Sequence, residues 1–456
     1  MFYRTLIATI ATLLAGSVCR GQGYTVSTIA GGGTNRGTDG LGDGGPAANA
    51  SLSGNGYGLA VDASGNLYIS DTGDNLIRKI TSDGTISVVA GDVKGNGGGY
   101  YGDGGPAIGA GLNSPGGIAV DSSGDLYIAD FGNARVRKVS TSGTISTVAG
   151  GGTNVTLSAQ ATQVLLRLGN AIAVDSAGDI FLQYVTGSGA SDQVLKVTPD
   201  GMIHQFAGDP SAAFGSLGDG GLATKAFILL SGLALDSSGN LCIADRGDNL
   251  IRKVDTSGTI TSIAGNHTAN YSGDGGQATK AGINMPSAIA VDGSGNVYID
   301  DFDDYRIRKI TPDGIINTIA GTGAPGSSGD GGPATGAQIN FSLTLTRGND
   351  GSVYFTDSRA SDGAGVVRLL TYNAPKPAIT SGGVVPVFSS ATTVQSGEWV
   401  SIYGSNLAST TAIWKGDFPT SLGGTSVTID GSRRTSGTSV RDRSTFKCPT
   451  TPPSAA

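Results

Sequence analysis

Apolar residues along this chain come in short runs, each ended by turn chemistry. In one stretch the runs are 57–62, 66–70, 76–80 and 85–90. Ala63-Ser64-Gly65, Asp71-Thr72-Gly73-Asp74 and Ser82-Asp83-Gly84 separate them. Glycine and aspartate punctuate strands because glycine accepts positive φ and a short carboxylate bonds the nearby backbone. The pattern predicts a four-stranded meander.

The meander repeats. Leu59-Ala60-Val61-Asp62-Ala63-Ser64-Gly65-Asn66-Leu67-Tyr68-Ile69 returns at 118–128, 172–182, 233–243 and 289–299, with a degraded copy at 345–355. The Asp62 position recurs at Asp121, Asp175, Asp236 and Asp292, and Gly348 replaces it in the sixth copy. A single sheet of this kind leaves both faces bare, and stacking six in a ring covers them. The expected fold class is all-β, a six-bladed β-propeller. The fourth-strand sequence also begins at Thr25, before any blade, whereas the sixth blade stops at Tyr372 without one. Thr25–Ala30 is therefore expected to complete the last blade and remove an open edge.

With six copies in register, Ile128-Ala129-Asp130-x-Gly132-Asn133-x-Arg135-Val136-Arg137-Lys138 resembles the NHL repeat. The Gly-Asp-Gly-Gly-Pro-Ala loops resemble those of bacterial secreted NHL proteins and teneurin-type NHL modules. The resemblance covers residues 24–372 and implies fold far more than function, because propellers host binding and catalysis alike.

Composition narrows the partners. The net charge is −7 with no basic stripe, which argues against nucleic acid. Of 36 acidic residues only Glu398 is glutamate, as suits a chain of turns and strands. Residues 1–22 read as a signal peptide, with a basic start, an apolar run too short to span a bilayer and Ala15-Gly16-Ser17 as a cleavage candidate. The chain is thus expected to be secreted, to the extracellular space, the periplasm or the cell surface, with no membrane span and as a monomer. Three cysteines, Cys19, Cys242 and Cys448, give no disulfide framework.

In a meander blade the inter-blade linkers and second-to-third hairpins share one face. They are long and varied here, so that face is the candidate functional one. Gly-Asp-Gly-Gly places Asp43, Asp103, Asp219, Asp274 and Asp330 on linkers; the linker at 150–168 lacks it. The hairpins open with Asp71, Asp130, Asp245, Asp301 and Asp357, and Tyr184 stands there in blade three. These eleven positions could form a ring for Ca²⁺ or a cationic ligand. The competing reading, which is favoured, is that each carboxylate bonds its own turn. The metal is left unknown, and no cofactor is assigned. The hairpins of blades three and six are longer, and ordinary loop drift explains that. The basic pairs Arg78-Lys79, Arg137-Lys138, Arg252-Lys253 and Arg308-Lys309 read as solvated or blade-bridging charges.

For enzyme chemistry the residues are few. His204 and His267 cannot converge, the propeller holds no glutamate, and no nucleophile motif is visible. A non-catalytic binding or scaffold protein with a protein or polysaccharide ligand is favoured. The alternative is a metal-dependent lactonase- or lyase-like propeller enzyme, which would gather three or more Asp or Asn side chains in the central channel.

Residues 373–378 form a proline-containing linker. Gly397-Glu398-Trp399-Val400-Ser401-Ile402-Tyr403-Gly404-Ser405-Asn406-Leu407 alternates with period two and resembles a strand and turn of IPT/TIG-like immunoglobulin folds. A partial, incomplete β-sandwich-like domain is expected over 379–431. Residues 432–456 lack any period and read as a frameshifted or disordered tail. Shifting the codons of 433–451 by one base yields two strand-like apolar runs.

Overall fold

The computed structural model describes residues 23–33, 41–53, 58–93, 98–187, 190–340, 342–359 and 364–373. It also gives the backbone of short strands at 378–386, 400–405, 413–414, 421–422, 425–426 and 444–445. The chain divides into two compact units, Gly23–Asn373 and a second made of Met1–Gln22 with Ala374–Ala456.

The first unit is a six-bladed β-propeller. Blade one is Leu59–Val61, Leu67–Asp71, Leu76–Ile80 and Ile86–Ala90. Blade two is Pro115–Val120, Leu126–Asp130, Arg135–Val139 and Ile145–Gly150. Blade three is Leu168–Val174, Ile180–Tyr184, Gln193–Val197 and Met202–Ala207. Blade four is Leu230–Leu235, Leu241–Asp245, Leu250–Val254 and Ile260–Ala264, and blade five is Pro286–Val291, Val297–Asp301, Arg306–Ile310 and Ile316–Ala320. Every neighbouring pair is antiparallel, as meander connections require.

Blade six takes Leu345–Arg347, Val353–Ser358 and Gly365–Asn373 from one end of the unit and Gly23–Ala30 from the other. Val26 faces Leu370 and Tyr24 faces Tyr372, so the expected closure forms in register. Val26 and Leu370 are buried together with Phe355 and Val353.

Each core cluster holds side chains of two successive blades. Leu233, Leu241 and Ile243 of blade four pack with Ala171, Phe181 and Val194 of blade three, for example. This is the burial that one isolated sheet could not achieve. The turn carboxylates behave as the sequence implies. Asp62 Oδ1 accepts from the amides of Ser64 and Asn66, and Asp121, Asp175, Asp236 and Asp292 repeat the arrangement.

Among the described residues, no helix is long and apolar enough to cross a membrane. In the second unit Ala378–Pro386 pairs with Val400–Ser405, so the alternating stretch does form a strand. The signal peptide, Cys19, Cys448 and most of the tail lie outside the described residues.

Candidate functional site

The repeated charges assemble into one unit per blade. In blade two, the Arg137 guanidinium donates to Asp103 Oδ1 at 2.6 Å, to Asp130 Oδ2 at 3.1 Å and to the Gly111 carbonyl at 3.0 Å. Asp130 Oδ1 accepts from the Asn113 amide at 2.8 Å, and Asp103 Oδ2 from the Thr147 amide at 3.1 Å. One arginine thereby ties linker, hairpin and outer strand together. Blade one repeats the clasp with Asp43–Arg78–Asp71, blade four with Asp219–Arg252–Asp245, blade five with Asp274–Arg308–Asp301 and blade six with Asp330–Arg368–Asp357. All five guanidinium groups are buried. The basic pairs are accordingly split: the arginine turns inward, while Lys79, Lys138 and Lys253 meet Asp62, Asp125 and Asp236 near the surface.

Blade three loses the whole unit at once. Leu195 stands across from Leu182, where Arg137 stands across from Ile128 in blade two. Tyr184 replaces the hairpin carboxylate, and the linker has no Gly-Asp-Gly-Gly. Leu195 packs instead among Leu166, Leu168 and Leu182. An apolar group replaces a buried triad because a lone charge left there would be costly.

The clasps place ten of the eleven candidate residues. Arginine joins them in pairs within each blade, and their oxygens face a cation already. Burial pushes Asp245 up to about 6 and Asp301 up to about 7 against the pull of their arginines, whereas hydrogen bonds and the arginine hold the partly exposed Asp103, Asp274 and Asp330 low despite desolvation. The Gly-Asp-Gly-Gly segments lie along the outer strand of the blade they introduce. Gly44 donates to the Ile86 carbonyl and Ala47 to Gly84, while the Ala47 carbonyl accepts from Gly31 of blade six. They act as pegs between neighbouring blades.

The central channel is lined by the first strands of all six blades and encloses about 400 Å³. Among the described residues its wall is mostly glycine, alanine and aliphatic side chains, with Asn170 but no carboxylate. Among the described residues, no group of three His, Cys, Asp or Glu could hold a metal ion. That donor set does not fit a divalent metal. Cys242 is buried and its thiol is pushed up to about 12 by desolvation, which makes it inert.

The mouth of the channel carries residues that sequence reasoning passed over. The residue after each hairpin carboxylate, or after Tyr184 in blade three, is Thr72, Phe131, Val185, Arg246, Phe302 or Ser358 around the ring. Phe131, Val185, Arg246 and Phe302 line the cavity. Phe131 is 49% exposed and Met285 41%, large apolar surfaces left to water. Met285 has φ of 51° and donates from its amide to Asn249 Oδ1 of blade four at 2.9 Å. A non-glycine residue held in that region costs on the order of 1 kcal/mol and draws attention to the rim. The signal was available: this position holds five residue types in six blades, while the residue before it is aspartate in five of them.

Fold and repeat together define a class, the six-bladed β-propeller. Residues 112–139 match the NHL repeat, and residues 266–328 match the Teneurin NHL domain. The chain is 31% identical over 298 residues to Teneurin-1 of Homo sapiens and likewise to Teneurin-4 of Mus musculus, a stretch covering 56% of this chain and 10% of either relative. Teneurin-m of Drosophila melanogaster is 30% identical over 234 residues, 46% of this chain and 8% of its own length. The chain thus spans about a tenth of the length of these relatives. Among solved structures, a Bacteroides thetaiotaomicron protein of unknown function superposes with a TM-score of 0.54 at 18% identity over 76% of both chains. An auxiliary nutrient binding protein of the same organism gives 0.52 at 15% identity over 77% of each. These structural likenesses show the fold. Support for the NHL resemblance does not extend to the IPT/TIG-like resemblance, which rests on sequence alone.

Proposed function

We propose that this chain is a secreted, non-catalytic binding protein that takes a glycan or protein partner on the face where the second-to-third hairpins open. One observation carries the reading. Around the channel mouth a repeated frame presents five residue types from six blades, with phenylalanine at the same position in blades two and five. A folding requirement would repeat in every blade, as the clasp does in five of six. Large apolar groups left exposed in a rigid ring are characteristic of binding surfaces. The eleven carboxylate and tyrosine positions serve that surface, in this reading, by fixing linkers and hairpins and not by touching the partner. The basic and apolar leader supports export, and the unit is proposed to act as a monomer.

The test is a glycan and protein array probed with the full chain and with Phe131→Ala and Phe302→Ala variants. A partner retained by the parent and lost by both variants is expected. A partner held equally by all three places recognition elsewhere.

A further inference from the structure

The channel mouth carries a more specific chemistry than a general binding surface. Several of its polar groups are already spoken for. Ser231 Oγ donates to the Pro286 carbonyl at 2.6 Å, stitching blade four to blade five. Gln183 Nε2 donates to the Leu230 carbonyl at 2.8 Å and to Asp192 at 3.2 Å. Ser287 donates to the buried Asp300.

Among the described residues, three polar side chains on the lining have no hydrogen bond or ion pair of their own: Asn170, Thr344 and Arg246. Arg246 is the one cation on the lining among the described residues. The carboxylate that it feels is Asp192, which is buried and engaged by Gln183, so the guanidinium fork is left to face the cavity. Phe131, Val185, Met285 and Phe302 line the same cavity. A planar guanidinium with an open fork is matched best by a carboxylate, which it takes through two parallel bonds. The phenylalanine faces suit a flat or ring-shaped body. Asn170 offers both a donor and an acceptor, and Thr344 a hydroxyl, for groups on that ring. A cavity of about 400 Å³ lies within the ~300–1,000 Å³ range of small-ligand sites.

We infer that the mouth binds a ring carrying a single carboxylate, with Arg246 on the acid group, Phe131 and Phe302 against the ring, and Asn170 and Thr344 on its substituents. This rests on the proposed use of the hairpin face. Two sources share that chemistry: a hexuronic acid residue of an acidic glycan and a free aromatic acid.

Isothermal titration of the full chain separates them. The probes are digalacturonic acid and benzoic acid, each beside its methyl ester. One acid is expected to bind at least tenfold more tightly than its ester, and which acid does so names the source. Arg246→Gln should abolish that preference without moving the melting temperature, because Arg246 is exposed. Phe131→Ala and Phe302→Ala should weaken acid and ester alike. Lys253→Gln, whose side chain pairs with Asp236 far from the mouth, should change nothing. Equal binding of acid and ester, a preference that survives Arg246→Gln, or no binding of either acid would overturn the inference. In each case the wider reading stands if an array partner is still lost on Phe131→Ala, and fails if it is not.

Discussion

Arg137 and Asp103 lie 34 residues apart in the chain and 2.6 Å apart in the fold, with the guanidinium fully buried and the carboxylate about one-third exposed. That asymmetry explains what the pair does. The linker carboxylate is the end that could be hydrated, and the arginine holds it against the blade together with the fully buried Asp130.

Removing the arginine should therefore cost more than removing either carboxylate. Arg137→Leu leaves Asp130 buried without its cation and is expected to lose about 3–5 kcal/mol. Arg137→Leu combined with Asp130→Asn should recover much of that loss, as blade three manages with Leu195 and Tyr184 at these two places. Urea unfolding of the single and double variants checks it; additive losses would refute the clasp as a coupled unit.

Closure by the N-terminal strand makes a second claim. Deleting residues 23–31 removes the partner of Gly365–Asn373 and uncovers Phe355 and Leu370. The truncated chain is expected to aggregate or to melt well below the parent in a thermal scan. An unchanged melting temperature would mean that the ring holds without its outer strand.

The third concerns pH. Asp300 is completely buried, with Ser287 beside it and two further carboxylates near, and burial pushes its acid well above the usual range. The folded state thus holds a proton that the unfolded chain gives up near pH 4. The stability from this group is full below that pH and declines as pH rises towards the folded value. Asp300→Asn, which keeps the shape and cannot ionise, should match the parent at pH 4 and exceed it by about 1–3 kcal/mol at pH 8. A difference that does not vary with pH would count against a neutral acid at this site.

Backbone strain supplies a fourth. Four hairpins end on a left-handed residue, and two of these are asparagine, Asn75 and Asn249, which tolerate it. Ala134, at φ 52°, occupies the same place in blade two. Ala134→Gly is expected to stabilise by about 0.5–1 kcal/mol. Differential scanning calorimetry would show a rise of about one degree; a fall would show that Ala134 makes contacts that outweigh its strain.

The amino-acid sequence by itself determined the blades, their number and their closure. Those follow from local physics: short apolar runs set the strands, glycine and aspartate set the turns, and an unpaired fourth strand at Thr25 has one place to go. The Asp62-type turns were legible for the same reason, since their partners lie two to four residues away. Only the tertiary structure decided what the other aspartates do. Asp43 meets Arg78 across 35 residues, and burial, which no local pattern reports, turns a surface-looking basic pair inward. The mouth was beyond the sequence for a further reason. Phe131, Val185, Arg246 and Phe302 belong to four blades, and only closing the ring brings them round one cavity.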